Sequence, residues 1–128
     1  AGTGKTFIAI YKALQEVLDK GNPYHQLVIV RSEVQGSESG FMPGSKEEKA
    51  ALFEAPYHPM CGAMFSRGDA YQRLKEQKFI RFETTVAIRG MTFDNSIIVV
   101  DEAQNMSWSE LSTIVTRIGE NSKIIFCG

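Results

Sequence analysis

The sequence is poor in cysteine: Cys61 and Cys127 are the only two in 128 residues. That scarcity excludes a disulfide-stapled scaffold and points to a reducing compartment, the cytoplasm. Long apolar runs are also lacking. None approaches the roughly 18 residues that a membrane span needs, so no membrane partner is expected. Neither sign of charge dominates. Fourteen basic and 15 acidic residues leave a net charge of −1, which gives no global basic footprint for nucleic acid. No internal repeat or low-complexity segment is present. An apolar fraction of 43% is ordinary for a globular protein and too high for disorder.

Against these absences, the first six residues stand out. Ala1-Gly2-Thr3-Gly4-Lys5-Thr6 matches the second half of a phosphate-binding P-loop, G-x-x-x-x-G-K-[ST]. Gly4, Lys5 and Thr6 supply its last three positions, and the first glycine falls before residue 1. Glycines let backbone N–H groups close around phosphate oxygens, so Gly2, Thr3, Gly4, Lys5 and Thr6 are the candidate nucleotide-binding residues. The helix that follows would aim its positive dipole end at the anion. Lys5 would reach the β- and γ-phosphates, and the Thr6 hydroxyl would hold Mg2+. The plain alternative is a glycine turn that starts a helix beside an incidental lysine.

Periodicity supplies the context. Phe7, Ile10, Tyr11, Leu14, Val17 and Leu18 have helical spacing, with Gly21 and Pro23 as the stop. Leu27–Val30 reads as a strand buried on both faces. Residues 32–45, rich in glycine and carrying Pro43, read as loop. A short helix is expected over Lys46–Glu54, irregular chain from Pro56 to Ser66, and a polar helix over Asp69–Gln77. Phe79–Phe82 and Thr85–Ile88 are short strand candidates, and Ser96–Val100 is the clearest strand. Ser107-Trp108-Ser109-Glu110 is a capping box. It opens a helix with Leu111, Ile114, Val115 and Ile118 on one face and Gly119 at its end. Lys123–Cys127 is a last strand. The alternation predicts an α/β fold with a mainly parallel sheet. A P-loop follows a strand, and that strand precedes residue 1. A gap in the sheet beside the site is therefore expected, with a poorly folding or sticky isolated chain.

Four apolar residues, Ile97–Val100, run into Asp101-Glu102. A buried strand ending in Asp is the Walker B arrangement, in which the Asp supports Mg2+. Ligands in such sheets bind at the carboxyl ends of strands, so the two motifs should converge there. Glu102 is placed to orient or deprotonate an attacking water. A kinase passing phosphate to a bound hydroxyl needs no such Glu, so the pair favours ATP hydrolysis. The bland alternative is that both acids merely cap the next helix.

Further residues invite sharper readings, each with a plain rival. Five bases and two acids between Arg67 and Arg81 suit a solvated helix face better than a phosphate-contacting patch. His58 and Cys61 have metal-like spacing but lack a second pair. Cys127 reads as a buried structural thiol. Trp108 reads as core or cap packing rather than a base-stacking platform. Phe79–Phe82 suits a packed strand better than a nucleic-acid contact. The loop Gly36–Gly44 could equally hold a substrate or merely connect.

Asp101-Glu102-Ala103-Gln104, taken with the opening hexapeptide, resembles motif II of the RecA-like core of superfamily one helicases. With Arg89-Gly90-Met91-Thr92-Phe93 upstream, Asn105 after the box, Ser39–Gly44 followed by Glu48-Lys49, and Thr116–Gly119, the chain resembles the PhoH-like ATPase family, in its phage-encoded branch. The resemblance implies a P-loop NTPase of three α/β/α layers whose first strand lies outside residues 1–128, a partial domain cut within a motif at each end. It implies ATP and Mg2+ as cofactors, a part in single-stranded RNA or DNA handling, and a link to phosphate starvation. Some family members form hexameric rings. By resemblance, Lys5, Glu102, Gln104 and Arg117 form the catalytic set, with Thr6 and Asp101 for the metal. Gln104 would sense the γ-phosphate or its water, and Arg117 would be an arginine finger or sensor. A surface or salt-bridging role is the rival for Arg117. Arg89 would sit near nucleic acid or nucleotide. Two departures stand out: Arg31-Ser32 replaces the usual Arg-Pro, and the motif after the last strand stops at Gly128. A nucleotide-gated scaffold without significant turnover is the alternative function.

Overall fold

The computed structural model describes residues 2–32 and 51–128, with residues 2 and 3 described by their backbone alone. Helix α1 (Gly2–Leu18) leads to β1 (Gln26–Arg31). Helices α2 (Tyr57–Phe65) and α3 (Ala70–Glu76) come next, then β2 (Ile80–Thr84) and β3 (Ser96–Val100). A 3-10 turn (Ala103–Asn105), α4 (Trp108–Thr116) and β4 (Lys123–Phe126) follow. The loop Gly36–Gly44, the family-like Ser39–Gly44 and Glu48-Lys49 lie outside the described residues. Of the helix expected over Lys46–Glu54, residues 51–54 are helical and the rest lies outside them.

The strands form one sheet in the order β2-β1-β3-β4, every pair parallel. Alternation within each strand makes two faces. Leu27, Ile29, Ile97 and Val99 meet α1, α2 and α3 on one side. Val28, Val30, Ile98 and Val100 meet Ile88, Phe93 and Ile114 on the other. β3 is buried at every position, so its near-continuous β-branched run fits a strand covered on both faces. The result is the expected three-layer α/β/α architecture.

The four described strands are contiguous, so no gap opens between them. Among the described residues both outer strands have one partner each, β2 with β1 and β4 with β3, and β4 runs into Cys127 beside the Asp101 end of β3. β4 is correspondingly less covered than β3, and Phe126 is half exposed.

Several local expectations shift. Pro56–Ser66 is not irregular, since it contains α2. Pro59 occupies the third helical position, where the missing N–H would have had no intrahelical partner. Tyr57 and Cys61, one turn apart, face the core. Thr85–Ile88 is a turn rather than a strand. The Thr84 Oγ1 accepts from Ala87 N at 3.2 Å, and Ile88 N donates to Thr84 O at 3.1 Å, a side-chain and backbone closure that competes with the ladder. In α1, Ala9 and Ala13 join Ile10, Leu14 and Val17 against the sheet, while Tyr11 and Leu18 turn outward. Small residues there let the helix sit close to the strands. Trp108 is not core or cap packing: it is 82% exposed, because the capping box turns the first residue of α4 away from the sheet.

Gly119 does more than end a helix. A Cβ there would lie 1.7 Å from Asp94 Oδ1 and 2.9 Å from Phe93 O. Only glycine lets this turn hydrogen-bond back to Phe93, through Gly119 N to Phe93 O at 2.7 Å.

Candidate phosphate and metal site

Register brings the strand exits level. Val30 pairs with Val100, Val100 with Phe126, and Arg31 with Thr84. The ladder runs one residue further through Asp101 N to Val30 O at 2.9 Å and Cys127 N to Val100 O at 2.8 Å. Asp101, Cys127, Ser32 and Thr85 therefore emerge along one carboxyl edge, and α1 begins beside it.

At that edge the two motifs meet. Thr6 Oγ1 donates to Asp101 Oδ1 at 2.8 Å, a buried contact across 95 positions of sequence. Glu102 N donates to the same oxygen at 2.9 Å. The Tyr57 hydroxyl donates to Asp101 Oδ2 at 2.7 Å. Thr6 and Asp101 are both buried, and Lys5, next to Thr6, is exposed. Gly2, Thr3 and Gly4 lie in the first turn of α1, where helix N–H groups have no intrahelical acceptor. A hydroxyl and a carboxylate offer hard oxygen donors, the set that Mg2+ takes. The residues present fit such a cation.

Glu102 adopts a left-handed backbone, φ 55° and ψ 41°, at a cost of about 1–2 kcal/mol for a residue with a Cβ. Its side chain makes no helix cap, so simple capping does not account for it. The Glu102 Oε1 instead accepts from Gln104 Nε2 at 2.8 Å. Gly128, just past β4, lies close to the same group: a Cβ there would come within 2.7 Å of Gln104 Oε1.

Arg117 and Arg89 are not brought to this cluster. Arg117 closes α4 at the amino end of β3, where its carbonyl accepts from Phe93 N at 2.9 Å. Its Nε is buried and has no hydrogen-bond partner among the described residues. Arg89 is exposed in the turn after β2, next to Ile88 on the face that carries α4. In the basic stretch, Arg67 pairs with Asp69, Lys75 with Glu54 and Arg81 with Glu83. Arg81 is exposed on β2 while Ile80 packs inward. The His58 ring lies 4.6 Å from that of Tyr71, and Cys61 is buried in the core.

Three features escaped the sequence reading. Tyr57 is the first; its segment showed no period that would have aimed it at Asp101. Cys127 is the second. Its thiol is pushed up by burial and by the Asp101 charge, against a hydrogen bond with Thr6 and the Lys5 charge, so it borders the site. Glu110 is the third. Besides its box partner Ser107, it accepts from Ser32 Oγ at 2.5 Å and Thr85 Oγ1 at 2.6 Å. Burial raises its pKa, but the bonds from Ser32, Thr85 and Ser107 outweigh that and hold it below the ordinary value. The capping box was the only signal for it.

A family model described as "PhoH-like protein" matches residues 1–128. The chain is 36% identical to Protein PhoH2 of Bacillus subtilis, over its whole length and 30% of that protein. It is 34% identical to a PhoH-like protein of Bacillus subtilis, over its whole length and 40% of that protein. With Protein PhoH of Escherichia coli the figures are 32% identity, the whole chain and 36% of that protein. The chain thus spans well under half the length of these relatives. Among the described residues, no helix is long and apolar enough to cross a membrane.

Proposed function

The chain belongs to the PhoH-like protein family, and from that premise we propose that it carries the phosphate and metal site of an ATPase that hydrolyses ATP with Mg2+. The observation that carries this reading is the Thr6–Asp101 contact of 2.8 Å, which joins the two motifs that such an ATPase needs. Gly2, Thr3, Gly4 and Lys5 bind the phosphates through first-turn N–H groups and the Lys5 ammonium. Thr6 and Asp101 hold Mg2+, which when bound neutralises charge on the phosphate oxygens. Glu102 orients the attacking water and accepts its proton, and Gln104, bonded to Glu102, keeps that carboxylate aimed. Because Arg117 lies at the opposite edge, it serves a site only across a subunit boundary, in a homo-oligomeric ring. The hydrolysis is coupled to handling of single-stranded RNA or DNA, in the cytoplasm.

Changing Glu102→Gln in the full protein is expected to leave ATP binding intact and to lower turnover at least 100-fold, the scale of general-base catalysis. Radiolabelled ATP hydrolysis, with and without single-stranded RNA, measures both. Hydrolysis equal to that of the unchanged protein would remove Glu102 from the mechanism. Turnover insensitive to RNA and DNA at every salt concentration would sink the coupling.

A further inference from the structure

Tyr57 is the first residue of α2 and is fully buried. Its ring is held between two others: the Tyr71 centroid is 6.2 Å away with 30° between planes, and Phe82 is 6.0 Å away at 44°. The hydroxyl of this clamped ring reaches Asp101 Oδ2 at 2.7 Å. An ionised carboxylate only accepts hydrogen bonds, so the phenol is the donor.

The two oxygens of Asp101 are thus treated differently. Oδ1 faces the α1 hydroxyl that joins it in the metal site, while Oδ2 is tied to a rigid group from another element. A carboxylate can rotate about its bond to Cβ, through a broad two-fold torsion. A donor fixed on one oxygen removes that freedom. Thr6 and Glu102 both bond to Oδ1, so the Tyr57 bond is the one that holds the other oxygen and with it the plane of the carboxylate. We propose that Tyr57 is a positioning residue for Mg2+: its hydroxyl locks the Asp101 carboxylate so that Oδ1 stays turned toward Thr6. This rests on the reading of Asp101 as the metal-holding carboxylate.

The core offers an internal control. Tyr71 is equally buried, and its hydroxyl donates to Glu54 Oε1 at 2.6 Å, away from Asp101. Removing either hydroxyl takes one buried hydrogen bond from the same cluster, but only one of them touches the site.

The test measures Mn2+ affinity in the presence of ADP by electron paramagnetic resonance, on the full protein. Metal-free ADP affinity and the urea midpoint are read alongside. Tyr57→Phe keeps the ring and is expected to weaken Mn2+ binding about 10-fold, the low end for loss of an outer-shell partner, with metal-free ADP affinity unchanged. Tyr57→Met removes the hydroxyl with a chain that adapts to irregular space and is expected to do the same, so the question survives if the Phe variant fails to fold. Tyr71→Phe is expected to stay within twofold of the unchanged protein. Asp101→Asn is the reference and should weaken Mn2+ more than either. If Asp101→Asn weakens Mn2+ and the Tyr57 variants do not, the positioning role falls and the Asp101 reading stands. Equal losses for Tyr57→Phe and Tyr71→Phe would reduce Tyr57 to core packing and overturn the proposal. Unchanged Mn2+ affinity in Asp101→Asn would overturn both.

Discussion

At the residue scale the site depends on a carboxylate that accepts three hydrogen bonds. Asp101 takes bonds from Thr6, Glu102 and Tyr57, and each donor comes from a different segment. Thr6→Val keeps the branched shape and removes one donor from a buried charge. It should lower the stability of the nucleotide-free protein by about 1–3 kcal/mol, read as a shift in urea midpoint at constant slope. Gly119 poses a steric rather than an electrostatic demand. Gly119→Ala would force the turn off Asp94 and Phe93, whose atoms lie inside contact distance of the new methyl. A loss of about 1–3 kcal/mol is expected, and an unchanged midpoint would show that the turn relaxes freely. The meeting of Thr6 and Asp101 was legible because both motifs point to the carboxyl edge of the sheet. The third donor was not, because a tyrosine 44 positions from its acceptor leaves no local pattern.

At the element scale, α4 shows how one side chain can anchor a helix start and a sheet edge together. Ser107 Oγ accepts from Glu110 N at 3.1 Å while Glu110 Oε1 accepts from Ser107 N at 3.0 Å. The other oxygen of Glu110 gathers the hydroxyls that follow β1 and β2. Its pKa is lowered on folding. The stability it adds is therefore present above the unfolded carboxylate value, near 4.3, and is lost as pH falls through the lower folded value. Unfolding midpoints across the acid range should show that loss, and Glu110→Gln should reduce it. Ser107→Ala removes half of the box and should cost about 1 kcal/mol. The box itself was plain in four consecutive residues. Its reach to Ser32 and Thr85 depended on strand register, which no local window contains. Helix α2 was missed for a related reason: Pro56 and Pro59 look like breakers, yet Pro56 precedes the helix and Pro59 falls within its first turn.

At the scale of the whole molecule, the sheet is well buried along β1 and β3 and less covered along its outer strands β2 and β4. Beside β4, Trp108, Leu111, Val115 and Phe126 line a groove of about 640 Å3. Unpaired strand backbone next to apolar surface favours association. The isolated 128-residue chain should show concentration-dependent association in sedimentation, and Phe126→Lys should reduce it. A monomer at every concentration would mean the edge is harmless. The parallel α/β architecture was readable from the sequence, because strand burial and helix periods are local consequences of apolar spacing. So was the meeting of Thr6 and Asp101 at the carboxyl edge, since the two motifs place these residues at fixed offsets from a helix start and a strand end. Tertiary structure alone decided which strands are neighbours, that β2 and β4 are the outer ones, that Trp108 faces solvent, and that Tyr57 touches the Asp101 carboxylate while Arg117 stands at the far edge. Those outcomes depend on register and on packing between distant segments, which are set when the layers close and not by the neighbours in sequence.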